Sequence, residues 1–238
     1  MNIVAHMDHL LREREQVARD LTSEDRVRPV TLACTGVFLV LTFAYGLIMG
    51  SQSLIRGSAE GWKYALAAGV KLPFLFLLTL AICLPLLYVL NVLIGPRAKF
   101  SAILGVLMAS IAVTSIVLGA CAPIVLFFML STPSYPFVKL LNVAVFALAG
   151  AYGVWFLSRS LGQLVQASSE GGEAAAASGV RTIINWWLIT YGIVGTQMAW
   201  ILRPFLGNPG QPFSFVRALE SNFYVDVLKT IGRLFAID

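Results

Sequence analysis

Charge is what this sequence has least of. Asp, Glu, Lys and Arg together make up 12% of the 238 residues, against 58% hydrophobic residues. Soluble domains carry about a quarter charged residues, so these proportions, with a mean hydropathy of +0.81, exclude an ordinary water-soluble fold and point to lipid as the main solvent. Histidine is scarcer still: His6 and His9 are the whole supply. They sit on one face at helical spacing, but no carboxylate or thiol stands at matching positions, so a zinc site is not expected there. Cysteine is limited to Cys34, Cys83 and Cys121, all inside apolar runs and none in a CxxC pair. Such cysteines serve as small packing residues, not as a disulfide frame.

The usual patterns of catalysis are missing too. No HExxH, Walker A loop, GxSxG or clustered acid pair occurs, and the hydroxyls within the apolar runs have no base beside them, so neither an enzyme nor a cofactor is expected. Basic residues exceed acidic ones by five. They flank apolar runs instead of forming a stripe interleaved with exposed aromatics, which favours orientation in the membrane and contact with anionic lipid over nucleic acid.

What the chain does have is uncharged length. Thr31 to Gly50 gives twenty residues without a charge, enough to cross a hydrocarbon core of about 30 Å at about 1.5 Å per residue. Arg26 and Arg28 precede it and place the N-terminus in the cytoplasm. Leu72 to Ile94 follows as the second span, with Pro73 near its start and Pro85 deeper, where a bend is expected. Ser101 to Leu130 holds thirty charge-free residues. Two crossings need about forty plus a turn, so this is one long helix that tilts, kinks at Pro123 or extends beyond the lipid. Phe137 to Ser158 returns, and Thr182 to Leu202 makes a fifth span with Trp186, Trp187 and Trp200 as interface anchors.

Between these runs lie the polar parts. Gly95 to Phe100, with Arg97 and Lys99, is a short cytoplasmic turn. Ser51 to Lys71, carrying Arg56, Glu60, Lys63, Trp62 and Tyr64, reads as an in-plane interfacial segment. Ser131 to Pro136 is an uncharged outer loop, and Leu161 to Val180 is a low-complexity connector or the start of a helix. Residues 1–30 keep a charge-rich amphipathic helix without the pattern of a secretory signal, so this segment is expected to persist. From Phe213 onward, Val216, Leu219, Phe223, Val227, Ile231 and Leu234 recur at helical spacing opposite Arg217, Glu220, Asp226, Lys229 and Arg233, which predicts a second amphipathic helix lying on the outer membrane surface or capping the bundle.

The expected fold is therefore all-α: a polytopic transmembrane bundle of about five spans with amphipathic helices at both termini. Residues 1–30 form a cytoplasmic segment, 31–203 the five-span domain, and 204–238 a linker with the interfacial helix. A plasma or inner membrane is the expected location. None of the five expected span interiors contains Asp, Glu, Lys, Arg or His, which argues against proton-coupled transport. Gly46 and Gly50 form a GxxxG that suits close helix packing, first of all within the chain. Ala149 and Gly153, and Gly192 with Gly195, offer further smooth faces. The polar side chains left at depth include Asn91, Ser110, Thr114, Ser115, Asn142, Asn185, Thr190 and Gln197. They either line a pore or a lipid pocket, or bond neighbouring helices, and the second reading is favoured.

The stretch from Gly61 to Leu130 also resembles the Yip1 family of five-span membrane proteins. It has the lead-in Gly-Trp-Lys-Tyr-Ala-Leu, a span ending in Leu-Asn-Val-Leu-Ile-Gly, a basic turn closed by Phe100, and Ala-Pro-Ile at Ala122 to Ile124. The acidic Leu-Tyr-Gly-Pro type of stretch that eukaryotic members carry before the first span is absent. The resemblance implies a non-catalytic protein that shapes membranes or binds partner membrane proteins. The leading expectation is thus a structural or accessory subunit, partnered by lipids and by other membrane subunits or a second copy of itself. The alternative is a channel, pore or lipid-handling protein.

Overall fold

The computed structural model describes residues 24–94, 99–168, 174–206, 214–215 and 223–235. The N-terminal amphipathic helix and the two histidines fall outside the described residues. Among those described there is no strand, and the elements in order are α1 (Glu24–Gly50), α2 (Gln52–Ile55), α3 (Gly61–Ile94), α4 (Phe100–Ser131), α5 (Tyr135–Ser168), α6 (Ala174–Ile201) and α7 (Phe223–Phe235).

Among the described residues, four segments are long and apolar enough to cross a membrane: Arg26–Ile55, Gly61–Val89, Phe100–Ser131 and Tyr135–Gln163. These fit a multi-pass membrane protein. Of the four, α4 is the most enclosed, with half of its most apolar stretch buried against 33–39% for the others. It runs as a single helix through Pro123, as the thirty charge-free residues require.

Two sequence-based boundaries differ from the structure. The segment Gly61 to Lys71, expected to lie apart as an in-plane piece, is the opening of α3, which continues unbroken for 34 residues. Lys63 at its start pairs with Glu60 in the preceding turn, and Lys71 is buried, so neither charge interrupts the helix. Likewise α5 runs past Ser158 to Ser168, because Arg159 stacks its guanidinium on Trp155 one turn earlier, 4.8 Å from the ring centroid. The alanine run opens α6.

Two compact units divide the chain. The first takes residues up to Leu39, Thr79–Ile116 and Gly150–Ile193. In it Ser110 Oγ donates to the Gly153 carbonyl at 2.8 Å, tying α4 to α5, and Trp187 Nε1 donates to the Cys83 carbonyl at 3.1 Å, tying α6 to α3. Trp187 is almost fully enclosed and stacks on Tyr191 at 5.4 Å. An indole N–H must find an acceptor when buried, and a helix carbonyl with a spare lone pair supplies one. Thr114 and Ser115 bond back to the Ser110 and Ile111 carbonyls of their own helix, which removes those hydroxyls from the list of free polar groups.

The second unit comprises Val40–Leu78, Val117–Ala149 and Val194–Asp238. Its apolar core gathers Tyr45, Met49, Leu72, Leu118, Val125, Met129, Val138, Ala149 and Leu206. The connectors 51–60 and 132–134 belong to it. Between α2 and α3 the chain turns at Gly57, whose φ of 78° is left-handed and natural only to glycine.

Candidate functional site

The second unit buries Thr42, Gln52, Ser53, Lys71, Asn142 and Thr230. Tyr45 on α1 donates its hydroxyl to Asn142 Oδ1 on α5 at 3.0 Å, and Asn142 Nδ2 donates to the Val138 carbonyl at 2.9 Å. Both ends of the amide are thus engaged and both side chains are buried. Phe146 sits edge-on to the Tyr45 ring at 5.6 Å and fixes it from the side. Interhelical bonds in apolar surroundings contribute about 0.6 to 2 kcal/mol. Tyr45→Phe should therefore lower stability by about 1 kcal/mol, read as a small drop in the temperature at which detergent-solubilised protein loses its monodisperse peak. Asn142→Leu should cost more, since it leaves a buried hydroxyl unpaired.

Lys71 is the least expected member. It lies on α3 with 2% of its surface exposed. Its ammonium donates to the Pro204 carbonyl at 3.2 Å and to the Phe215 carbonyl, with the Phe215 ring 4.5 Å from Nζ and the Phe205 ring at 6.0 Å. A buried cation is tolerated when its N–H groups are bonded and a ring face lies within about 6 Å. Lys71 satisfies both conditions and so pins the segment following α6 onto α3. Beside it, Arg203 lies 3.7 Å above the Trp200 ring.

A second clip holds α7. Lys139, in the first turns of α5, pairs with Asp226 and donates to Thr230 Oγ1 at 3.0 Å. On the other side, the Thr196 and Tyr224 hydroxyls are 3.0 Å apart, joining α6 to α7. The C-terminal helix expected from Phe213 is seen from Phe223; before it, Ser214 and Phe215 are described and are not helical, the Phe215 carbonyl accepting from Lys71, and the other residues lie outside the described ones.

The glycines singled out from sequence have different surroundings. Gly46 and Gly50 lie where α1 meets α3 so closely that a Cβ on Gly46 would stand 2.5 Å from the Ala68 carbonyl oxygen, and one on Gly50 2.5 Å from that of Tyr64. Gly153 backs onto Thr114 of α4, and Ala149 is fully buried in the second unit. Around Gly192 nothing lies within 4 Å, so no close approach occurs there, and Gly195 is half-buried. Of the amides, Asn142 is the one drawn into an interhelical bond. Asn185 is exposed on α6, Gln197 is half-buried, and the Asn91 side chain lies outside the described residues.

Sequence reasoning did not find Lys71, Lys139 with Asp226, or the Trp187 bond. Lys71 carries one local signal, a lone cation flanked by Val70 and Leu72 at the border of an apolar run. The others depend on partners 87 to 104 residues away, which no local pattern reveals.

Helices of this length and apolarity fit a helical multi-pass membrane protein. No protein-family model, curated protein or solved structure among those compared matches the chain.

Proposed function

We propose that the chain is a non-catalytic, five-span membrane protein that serves as a structural or accessory subunit of a membrane assembly. In this reading α6 makes the fifth crossing, the N-terminus is cytoplasmic, and amphipathic helices flank the bundle, an arrangement like that of the Yip1 family. The observation that carries it is where the polar atoms go. Tyr45 with Asn142, Ser110 with the Gly153 carbonyl, and Trp187 with the Cys83 carbonyl consume polar groups in joining helices. Large apolar side chains such as Leu32, Phe74, Phe127, Leu130 and Trp186 project outward. A packed interior with a greasy exterior suits a body that contacts lipid and neighbouring helices. The alternative, a pore or lipid-handling protein, needs free amides along a passage; Asn142 has none to spare, and among the described residues the buried Gln52 amide, which makes no hydrogen bond, is the group that would favour it.

Extraction in mild detergent followed by native mass determination tests the proposal. The expected result is a particle heavier than one chain, holding a second copy or another membrane protein. A strictly monomeric particle with no co-purifying partner contradicts it.

A further inference from the structure

The helix α7 meets the rest of the protein with the wrong face for a simple hydrophobic cap. Asp226 and Thr230, one turn apart, point inward to Lys139, and Thr230 is buried. In the apolar stripe Tyr224, Leu228 and Ile231, the last two point away, 68% and 37% exposed, and the Tyr224 ring is 47% exposed although its hydroxyl reaches Thr196 on α6. Lys229 and Arg233 are also exposed, and at about 100° per residue they come about 150° round the helix from that stripe. Three faces result: a polar flank clipped to α5, an apolar stripe, and a basic edge nearly opposite the stripe.

We propose that α7 is a lipid-binding element that seats its Tyr224, Leu228 and Ile231 stripe in the membrane interface and presents Lys229 and Arg233 to anionic head-group phosphates. The inference rests on the multi-span reading above and deepens it by naming the occupant of this face. Two observations select lipid. The helix is held near the ends of α5 and α6, the long apolar helices, by Lys139 and Thr196, while Leu228 and Ile231 stay exposed. The basic edge complements anionic head groups and lies on the side away from the acyl chains, the arrangement of an interfacial amphipathic helix. The ion pair with Lys139 explains how one acidic residue is kept off that surface: Asp226 is turned inward, where a cation meets it.

The test uses the full chain in lipid nanodiscs of phosphatidylcholine alone, or of phosphatidylcholine with phosphatidylglycerol. Failure of the multi-span reading is seen beforehand, as a chain that does not enter nanodiscs. With Cys34, Cys83 and Cys121 changed to alanine, Leu228→Cys carries an environment-sensitive fluorophore. Blue-shifted emission quenched by doxyl-labelled phosphatidylcholine, stronger in anionic nanodiscs, is expected. Lys229→Gln with Arg233→Gln should lower the ratio of seated to released helix roughly 30-fold, the product of two basic contacts. Amide exchange of α7 in the wild-type chain gives a reading free of substitutions, and it should be slower in the anionic nanodiscs. Identical exchange in both lipids, a water-exposed fluorophore, or blue emission that lipid quenchers do not reach, as under a protein partner or a second copy, overturns the proposal.

Discussion

Leucine at both Gly46 and Gly50 is expected to separate α1 from α3 and to lower stability by roughly 2 to 6 kcal/mol, combining two overpacking penalties on one contact. The size follows from what the new side chains would meet. At Gly46 the nearest atoms are the Ala68 carbonyl oxygen and carbon and the Gly69 Cα, and at Gly50 they are the Tyr64 carbonyl oxygen and the Ala65 Cα. All of these are backbone, which cannot rotate away as a flexible side chain can, so the helices themselves must move. The measurement is the melting temperature of the detergent-solubilised protein, followed by loss of its monodisperse peak. Gly36→Leu and Gly192→Leu are the controls: nothing stands within 4 Å of either position, and they should shift the midpoint little. If the double variant melts like these controls, the close crossing of α1 and α3 is not real.

Lys71→Glu is expected to be the most damaging single substitution. It sets a carboxylate against two carbonyl oxygens, those of Pro204 and Phe215, and against the face of the Phe215 ring. Every one of these partners is electronegative on the side it presents, and the side chain at position 71 is almost fully enclosed, so the charge has no compensation among them. The variant should fail to give folded, monodisperse protein. Lys71→Met removes the charge while keeping the stem, and should cost about 2 kcal/mol through the unpaired carbonyls. Protease sensitivity of the chain after Leu206 reports on it directly: cleavage there should accelerate in Lys71→Met while the helices ahead of it stay protected. Equal cleavage of the variant and the wild type would show that Lys71 does not hold this segment.

Much of the architecture was legible because charge-free length is a local property. The run Ser101 to Leu130 specified one long helix, and α4 is that helix. The charges around Lys63, Lys71 and Arg159 misled, because their cost was judged without their partners. Glu60 and Trp155 are close in sequence and, weighed at helical spacing, would have allowed α3 and α5 to extend. Pro204 and Phe215, which accept from Lys71, are 133 and 144 residues away, and only the folded chain brings them there. The polar residues divide in the same manner. Asn142 was recognisable as a buried amide, but whether it faced a passage or a neighbouring helix depended on Tyr45, 97 residues earlier. Gly46 and Gly153 look alike in sequence to Gly192, yet only the first two face another helix at close range. Small residues permit close packing without requiring it.

Everything above requires that the long apolar helices lie in lipid. The most direct measurement is a wash of isolated membranes with alkaline carbonate, followed by ultracentrifugation. The chain should remain in the membrane pellet and move to the supernatant only when detergent is added. Release by carbonate alone, as for a protein held at the surface, would contradict the account.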